Sequence, residues 1–371
     1  MIALDELRER VGQKVPFRGA DSVTQNDIRR KLEVFCLSCP LHDDETTAKA
    51  NGYLGVVAPV TMTPLWGLPP YWAPGRPSPY LVEGKEMTGN VTDTLALPFT
   101  RSVNAGSQWH YHTPLYVGDR LHGTTTVVSV EQKRTRVGTG VFLEYESEYL
   151  KDSGDLVALN RNTVFNYDPL NASTSRPEPG IRARAERDDR VRTPRLPLDD
   201  ADSTLSWNAP LGFGDITVGA EICGPILVLT YQRMVMNIAA DRMFAGIHHS
   251  TAAARAAGLG DIIFNTRGLE TLLETSLRRW MGLRGKLVRL GPFKMTVPVH
   301  PGAVVQARWT VTGKRTGATD GDVDLEFNIF SGARKVAKGI AAVSLPMPET
   351  PRRTMSVVPK QGGAPNAGHQ G

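Results

Sequence analysis

A chain of 371 residues, 40% hydrophobic and 22% charged, has room for two ordinary domains and is too apolar for disorder throughout. Its net charge of +5 permits modest attraction to anionic ligands but is too small, and too interleaved with acids in stretches such as IRARAERDDRVRTPR, to point to nucleic acid as a partner. Three cysteines do not make a disulfide scaffold, and the lack of an h-region or an apolar run of membrane length predicts a soluble, cytoplasmic protein with no membrane partner.

In chain order, the first chemistry-bearing stretch is FCLSCPLH, which spaces Cys36, Cys39 and His42 as C-x2-C-x2-H. A metal or redox reading needs a fourth ligand or a βαβ context, neither of which is visible, so two buried thiols are expected and no metal is assigned. The aromatic run WHYH, Trp109 to His112, reads as preceding a strand. RLHGTTTVVSVEQK, TGVFLEYESEYLK and DLVALNRNTVFNY then alternate with β-branched and aromatic residues and predict an antiparallel meander. Residues 168–209, rich in Pro, Arg and Asp, read as a surface linker.

In the second half, RGLETLLETSLRRWMG carries Leu269, Leu272, Leu273, Leu277 and Trp280 at helical spacing and predicts one long helix with an apolar stripe, stopped at Gly282. Arg278, Arg279, Arg284 and Lys286 follow and read either as a solvated face or as a phosphate contact. AVVQARWTVTGKR, DVDLEFNIFSGAR and KVAKGIAAVSLPM repeat the strand series, and a single striped helix followed by such strands buries its stripe by being wrapped by the sheet. Residues 348–371, His369 included, read as a disordered tail.

The halves repeat one another. CPLHDDETTAKANGYLGVVAP and AGIHHSTAAARAAGLGDIIFN share a turn ending in histidine, an alanine-containing helix and a Gly-bounded apolar run, with His42 and His248 206 residues apart. TPLYVGDRL and VPVHPGAVV supply later turns whose glycines, Gly118 and Gly302, are 184 apart; the difference of 22 matches the unpaired insert WGLPPYWAPGRPSPYLVEGKEMTG.

This layout resembles the MaoC-like and FAS1-like dehydratases and hydratases with a double hot-dog fold. The resemblance implies an α+β protein of two tandem hot-dogs, each a long central helix wrapped by an antiparallel sheet: 1–167 FAS1-like, 168–209 linker, 210–347 MaoC-like and 348–371 tail. It further implies a hydro-lyase acting on an unsaturated or 3-hydroxyacyl thioester of coenzyme A or acyl carrier protein, without a cofactor, in a chain that pairs as a homodimer or hetero-oligomer. The family motif Asp-x-Asn-Pro-(Ile/Leu/Val)-His lies on Met243, Ala245, Gly246, Ile247 and His248, and in the first half on Leu37, Cys39, Pro40, Leu41 and His42. Both copies keep the histidine and lose the carboxylate.

His248 is therefore the candidate acid/base, since one imidazole titrating near neutrality can shuttle both protons of a hydration. Asp241 is the nearest acid, two turns away if the stretch is helical, and reaches His248 only through a bent loop. Asn265, Thr266, Arg267 and Gly268 map to the helix start where the family finds its oxyanion donors, and read equally as an ordinary N-cap. Met243, His249, His42 and Trp109 complete the candidate binding residues, His249 as a solvated or supporting neighbour. Trp66, Tyr71 and Trp72 of the insert enclose an acyl group or form a plain ordered loop. The alternative is a hot-dog without the motif Asp, either a non-catalytic acyl-binding partner subunit or a repurposed isomerase or cyclase. A thioesterase, weaker still, needs Glu270 or Asp261 at the helix start.

Overall fold

The structure is a computed structural model that describes residues 4–78, 101–135, 138–167, 207 and 211–347. Its first half runs α1 (Leu4–Arg8), β1 (Lys14–Arg18), α2 (Gln25–Phe35), α3 (Glu45–Ala50), α4 (Thr63–Trp66), β2 (Arg101–Tyr111), β3 (Leu121–Thr135), β4 (Gly138–Lys151) and β5 (Leu156–Tyr167). The second runs β6 (Glu221–Val228), α5 (Tyr231–Asp241), α6 (Thr251–Ala256), α7 (Thr266–Met281), β7 (Lys286–Met295), β8 (Val304–Arg315), β9 (Asp320–Ser331) and β10 (Arg334–Pro346).

Local chemistry builds the same unit twice. Thr24 and Thr230 cap α2 and α5 by accepting from Asp27 N–H and Arg233 N–H, and both helices stop in a left-handed residue, Cys36 and Arg242. Asp44 and Ser250 cap α3 and α6 in the same way. Gly118 and Gly302 both take positive φ, 99° and 83°, and donate to Val23 O and Leu229 O, so each turn needs the freedom of glycine.

The ten strands form one antiparallel sheet in the order β1-β3-β4-β5-β2-β7-β10-β9-β8-β6. Each half contributes the same five-strand order, and the halves join edge to edge where β2 meets β7, with Trp109 opposite Leu290 and His110 opposite Arg289. The alternating strands β3, β8 and β9 turn one face inward, as their period of two requires. Leu269, Leu272, Leu273, Leu277 and Met281 of α7 are at most 1% exposed against that face. Each such leucine stabilises the fold by about 1.5–3 kcal/mol.

Three expectations differ in detail. The long helix belongs to the second half; at the matching place the first half has a 3-10 turn at Val60–Met62 and the four-residue α4. Gly67, Pro69 and Pro70 follow directly, and two prolines remove the N–H groups that further turns require. WHYH does not precede a strand, because Trp109 to Tyr111 end β2 itself, with Trp109 and Tyr111 inward and His110 between them. Of the basic run, Arg284 and Lys286 are exposed as a solvated face requires, but Arg278 is buried, together with Glu270, Thr271, Glu274, Thr275 and Ser276 of the same helix. Arg278 donates to Gly282 O and Gly285 O, so it closes the helix end and is neither a surface charge nor a phosphate contact. The tail and nearly all of the linker lie outside the described residues.

Candidate active site at the start of the long helix

His248 ends a 3-10 turn, Gly246–His248, that follows the left-handed break after α5. Its Nδ1 lies 2.8 Å from Ile263 O, and because a carbonyl only accepts, Nδ1 carries the proton. Nε2 then holds the free lone pair, and it makes no hydrogen bond among the described residues. Burial keeps this imidazole below the ordinary histidine range; the bond to Ile263 and the charge of Asp241 oppose that shift in part. A neutral ring with an open Nε2 is the form a general base needs.

Ile263 precedes the start of α7 by three residues, so the same strap that orients His248 delivers the helix N-terminus. Asn265 is the N-cap and its Oδ1 accepts from Gly268 N–H at 2.8 Å. The N–H groups of Thr266 and Arg267 find no acceptor among the described residues, and they stand at the positive end of a 16-residue helix. Gly268 cannot carry a side chain, since a Cβ there meets the Phe264 ring at 2.3 Å.

In the first half the corresponding amides hold a carboxylate. Val60 and Thr61, each 206 residues before Thr266 and Arg267, donate their N–H groups to the Glu274 carboxylate at 2.8 and 2.9 Å. Thr61 Oγ1 adds a third bond at 2.6 Å. The copied helix start is thus already filled by an anion from α7. Its histidine, His42, is fully enclosed, with Nδ1 2.6 Å from Val57 O and its pKa held down to about 4 by burial. Of the two equivalent helix starts, the first is filled by Glu274, and at the second the N–H groups of Thr266 and Arg267 have no acceptor among the described residues.

Asp241 makes no hydrogen bond to His248. Its oxygens go to Lys31 Nζ at 2.7 Å and Asn265 Nδ2 at 3.4 Å, so it acts on the imidazole only through space. Met243 also turns to the cap, with Sδ 3.5 Å from Asn265 Nδ2. His249 is exposed and its Nε2 lies 3.0 Å from Phe244 O. From the insert, Tyr71 meets Phe244 edge-on with ring centroids 5.7 Å apart, which places that loop beside the histidine turn. Trp109 stacks on Tyr111 and donates from Nε1 to Glu270 at 3.3 Å. Burial lifts the Glu270 carboxyl to about 7. Asp261 is held by Thr251 Oγ1 at 3.0 Å and by the Tyr231 hydroxyl. Of the two thiols expected to be buried, Cys39 is, which pushes it up to about 11, whereas Cys36, the left-handed residue that ends α2, is only partly buried. Lys31 and Glu274, both absent from the candidates read in the sequence, are central here.

The FAS1-like, dehydratase domain region matches residues 10–160. A UPF0336 protein of Saccharopolyspora erythraea is 30% identical over 154 residues, 42% of this chain and 86% of that protein. The chain belongs to the MaoC-like double hot-dog family. A probable enoyl-CoA hydratase alpha subunit of Thermomonospora curvata is 28% identical over 165 residues, 44% of this chain, and the chain spans about half, 51%, of that relative's length. In fold, this MaoC-like protein is similar to a MaoC-like dehydratase, with TM-score 0.66 and 19% identity over 93% of this chain and 100% of the other. It is also similar to a Mycobacterium tuberculosis protein described as a double hot-dog, with TM-score 0.60 and 15% identity over 92% of this chain and 97% of the other. No helix among the described residues of this MaoC-like chain is long and apolar enough to cross a membrane.

Proposed function

We propose that this chain adds water to, or removes it from, the double bond of an acyl thioester carried on coenzyme A or acyl carrier protein, with His248 as acid and base. The observation that carries this reading is that His248, with an Nε2 that makes no hydrogen bond among the described residues, is tied through Nδ1 to Ile263, three residues before the α7 start where the Thr266 and Arg267 N–H groups likewise find no acceptor. In the hydration direction, Nε2 takes a proton from water as its oxygen bonds to Cβ, and the electrons of the double bond move to the thioester oxygen. Thr266 and Arg267 N–H stabilise that enolate, as Val60 and Thr61 N–H hold the Glu274 carboxylate in the other half. The imidazolium then returns its proton to Cα, so one group closes the proton cycle. Residues 1–167 and 210–347 act in this reading as the two hot-dogs, the first closing one side of the site and the second holding the chemistry.

A second reading rests on Met243, which stands where the family motif has Asp, and on Asp241 being bound to Lys31. In it the chain holds an acyl thioester without hydrating it, as one subunit of a larger enzyme or as an isomerase or cyclase. The Thermomonospora relative is described as an alpha subunit, which supports a second kind of chain in the assembly.

Kinetics separate the two. Hydration of an enoyl-CoA by the wild type, lost by a factor of about 10² or more in His248→Ala and little changed in His249→Ala, is the expected result. Equal turnover in His248→Ala ends the assignment. Tight binding of acyl-CoA with no turnover in the wild type supports the second reading.

A further inference from the structure

Lys31, Asn237, Asn265 and Asp241 close a ring of hydrogen bonds. Lys31 Nζ donates to Asn237 Oδ1 at 2.8 Å and to Asp241 Oδ1 at 2.7 Å. Asn237 Nδ2 donates to Asn265 Oδ1 at 2.8 Å, and Asn265 Nδ2 returns to Asp241 Oδ2 at 3.4 Å. The four residues are 1%, 0%, 2% and 4% exposed in the order Lys31, Asn237, Asn265, Asp241, so the ring is shut off from bulk solvent.

The ring has a direction. Asn265 Oδ1 also accepts from Gly268 N–H, so its oxygen must face the helix and its amide nitrogen must face Asp241. The carboxylate at 241, with a cation behind it, reinforces that orientation from the other side, because a flipped amide would turn its oxygen toward the carboxylate and its NH2 toward Gly268 N–H. Lys31 and Asn237 occupy the same place in the repeat, 206 residues apart, where α2 and α5 cross. The first half has Phe35 and Pro59 where the second has Asp241 and Asn265, so the ring serves one copy alone. Buried ion pairs contribute little net stability compared with apolar side chains of similar volume, which leaves placement of the cap as the effect peculiar to this one.

We infer, resting on the reading given under Proposed function, that Lys31 is a positioning residue: a cation from the first half that locks Asn265 and so aims the Thr266 and Arg267 N–H groups at the thioester oxygen. The second-half site therefore depends on a charge it does not itself encode.

The test is the paired apolar replacement Lys31→Met with Asp241→Leu, which removes both charges together. Three readouts are taken: thermal midpoint, kcat and KM for enoyl-CoA hydration, and hydrogen exchange of the Gly268 amide. The expected result is a folded protein with kcat lowered by about 10-fold or more at little change in KM, and with Gly268 exchange accelerated while the middle of α7 is unaffected. A folded variant with wild-type kcat and wild-type Gly268 exchange overturns the inference, as does a kcat loss no larger than the loss of folded protein. If the wild type shows no hydration, the functional reading fails and Gly268 exchange alone decides the role of Lys31. Should the pair not fold, Asn265→Ser keeps an N-cap acceptor but cuts the ring; it is expected to lower kcat, or acyl-CoA affinity in a chain without turnover, and wild-type values overturn the inference.

Discussion

Glu270 makes the stability of this protein fall as pH rises. It lies on α7, 3% exposed, accepting from Trp109 Nε1, and burial moves its carboxyl from 4.5 to about 7. Between those values the folded chain keeps a proton that the unfolded chain has released. Linkage then makes this contribution fully present below 4.5 and lost as pH climbs through 7. A difference of this size corresponds to about 3 kcal/mol across the window. Glu270→Gln is neutral at every pH and still accepts from Trp109, so it abolishes the slope. His42 runs the other way: held down from 6.5 to about 4, it stabilises above its unfolded value, and that contribution disappears as pH falls through 4. Because His42 is common to both proteins, the difference between variant and wild type isolates Glu270. Urea denaturation at pH 4.5 and at about pH 8 should show Glu270→Gln gaining about 3 kcal/mol on the wild type. A difference that stays flat within about 0.5 kcal/mol would refute a buried, protonated Glu270.

Glu274→Ala removes the acceptor from Val60 N–H, Thr61 N–H and Thr61 Oγ1 at once, and equilibrium unfolding should show a loss of about 3 kcal/mol. A loss below about 1 kcal/mol would mean that this carboxylate does not fill the first-half site. Met243→Asp combined with Ala245→Asn restores the Asp and Asn of the family motif beside Asn265; enoyl-CoA hydration should rise by about 10-fold or more, and an unchanged rate in the folded variant counts against a site that survives apart from its lost acid.

The tandem organisation was legible because it rests on local chemistry. Gly118 and Gly302 mark turns that need positive φ, and the His42 and His248 turns share their residue order. The stripe of α7 and the alternation of β3 to β5 and β8 to β10 could be read directly. The join of the halves could not: β2 carries Gly106 at a bulge, and β7 holds Pro292 where its register with β10 shifts, so neither runs as a clean alternation. Nor could the use of Asp241, since its partner lies 210 residues away. One signal for Lys31 was present. In DIRRKLEVF the buried stripe Ile28 to Phe35 passes through position 31, where a lysine had to find a partner or be excluded from the core. Glu270 and Glu274, one turn apart on a helix that is apolar on its other side, carried a similar signal.

The measurement that bears most directly on the account is a crystal structure of the chain with a saturated 3-hydroxyacyl-CoA. The account predicts the thioester oxygen within hydrogen-bond reach of Thr266 or Arg267 N–H, the 3-hydroxyl facing His248 Nε2, and Glu274 still seated on Val60 and Thr61. A thioester found on Val60 and Thr61 with Glu274 displaced, or bound away from both helix starts, would contradict it.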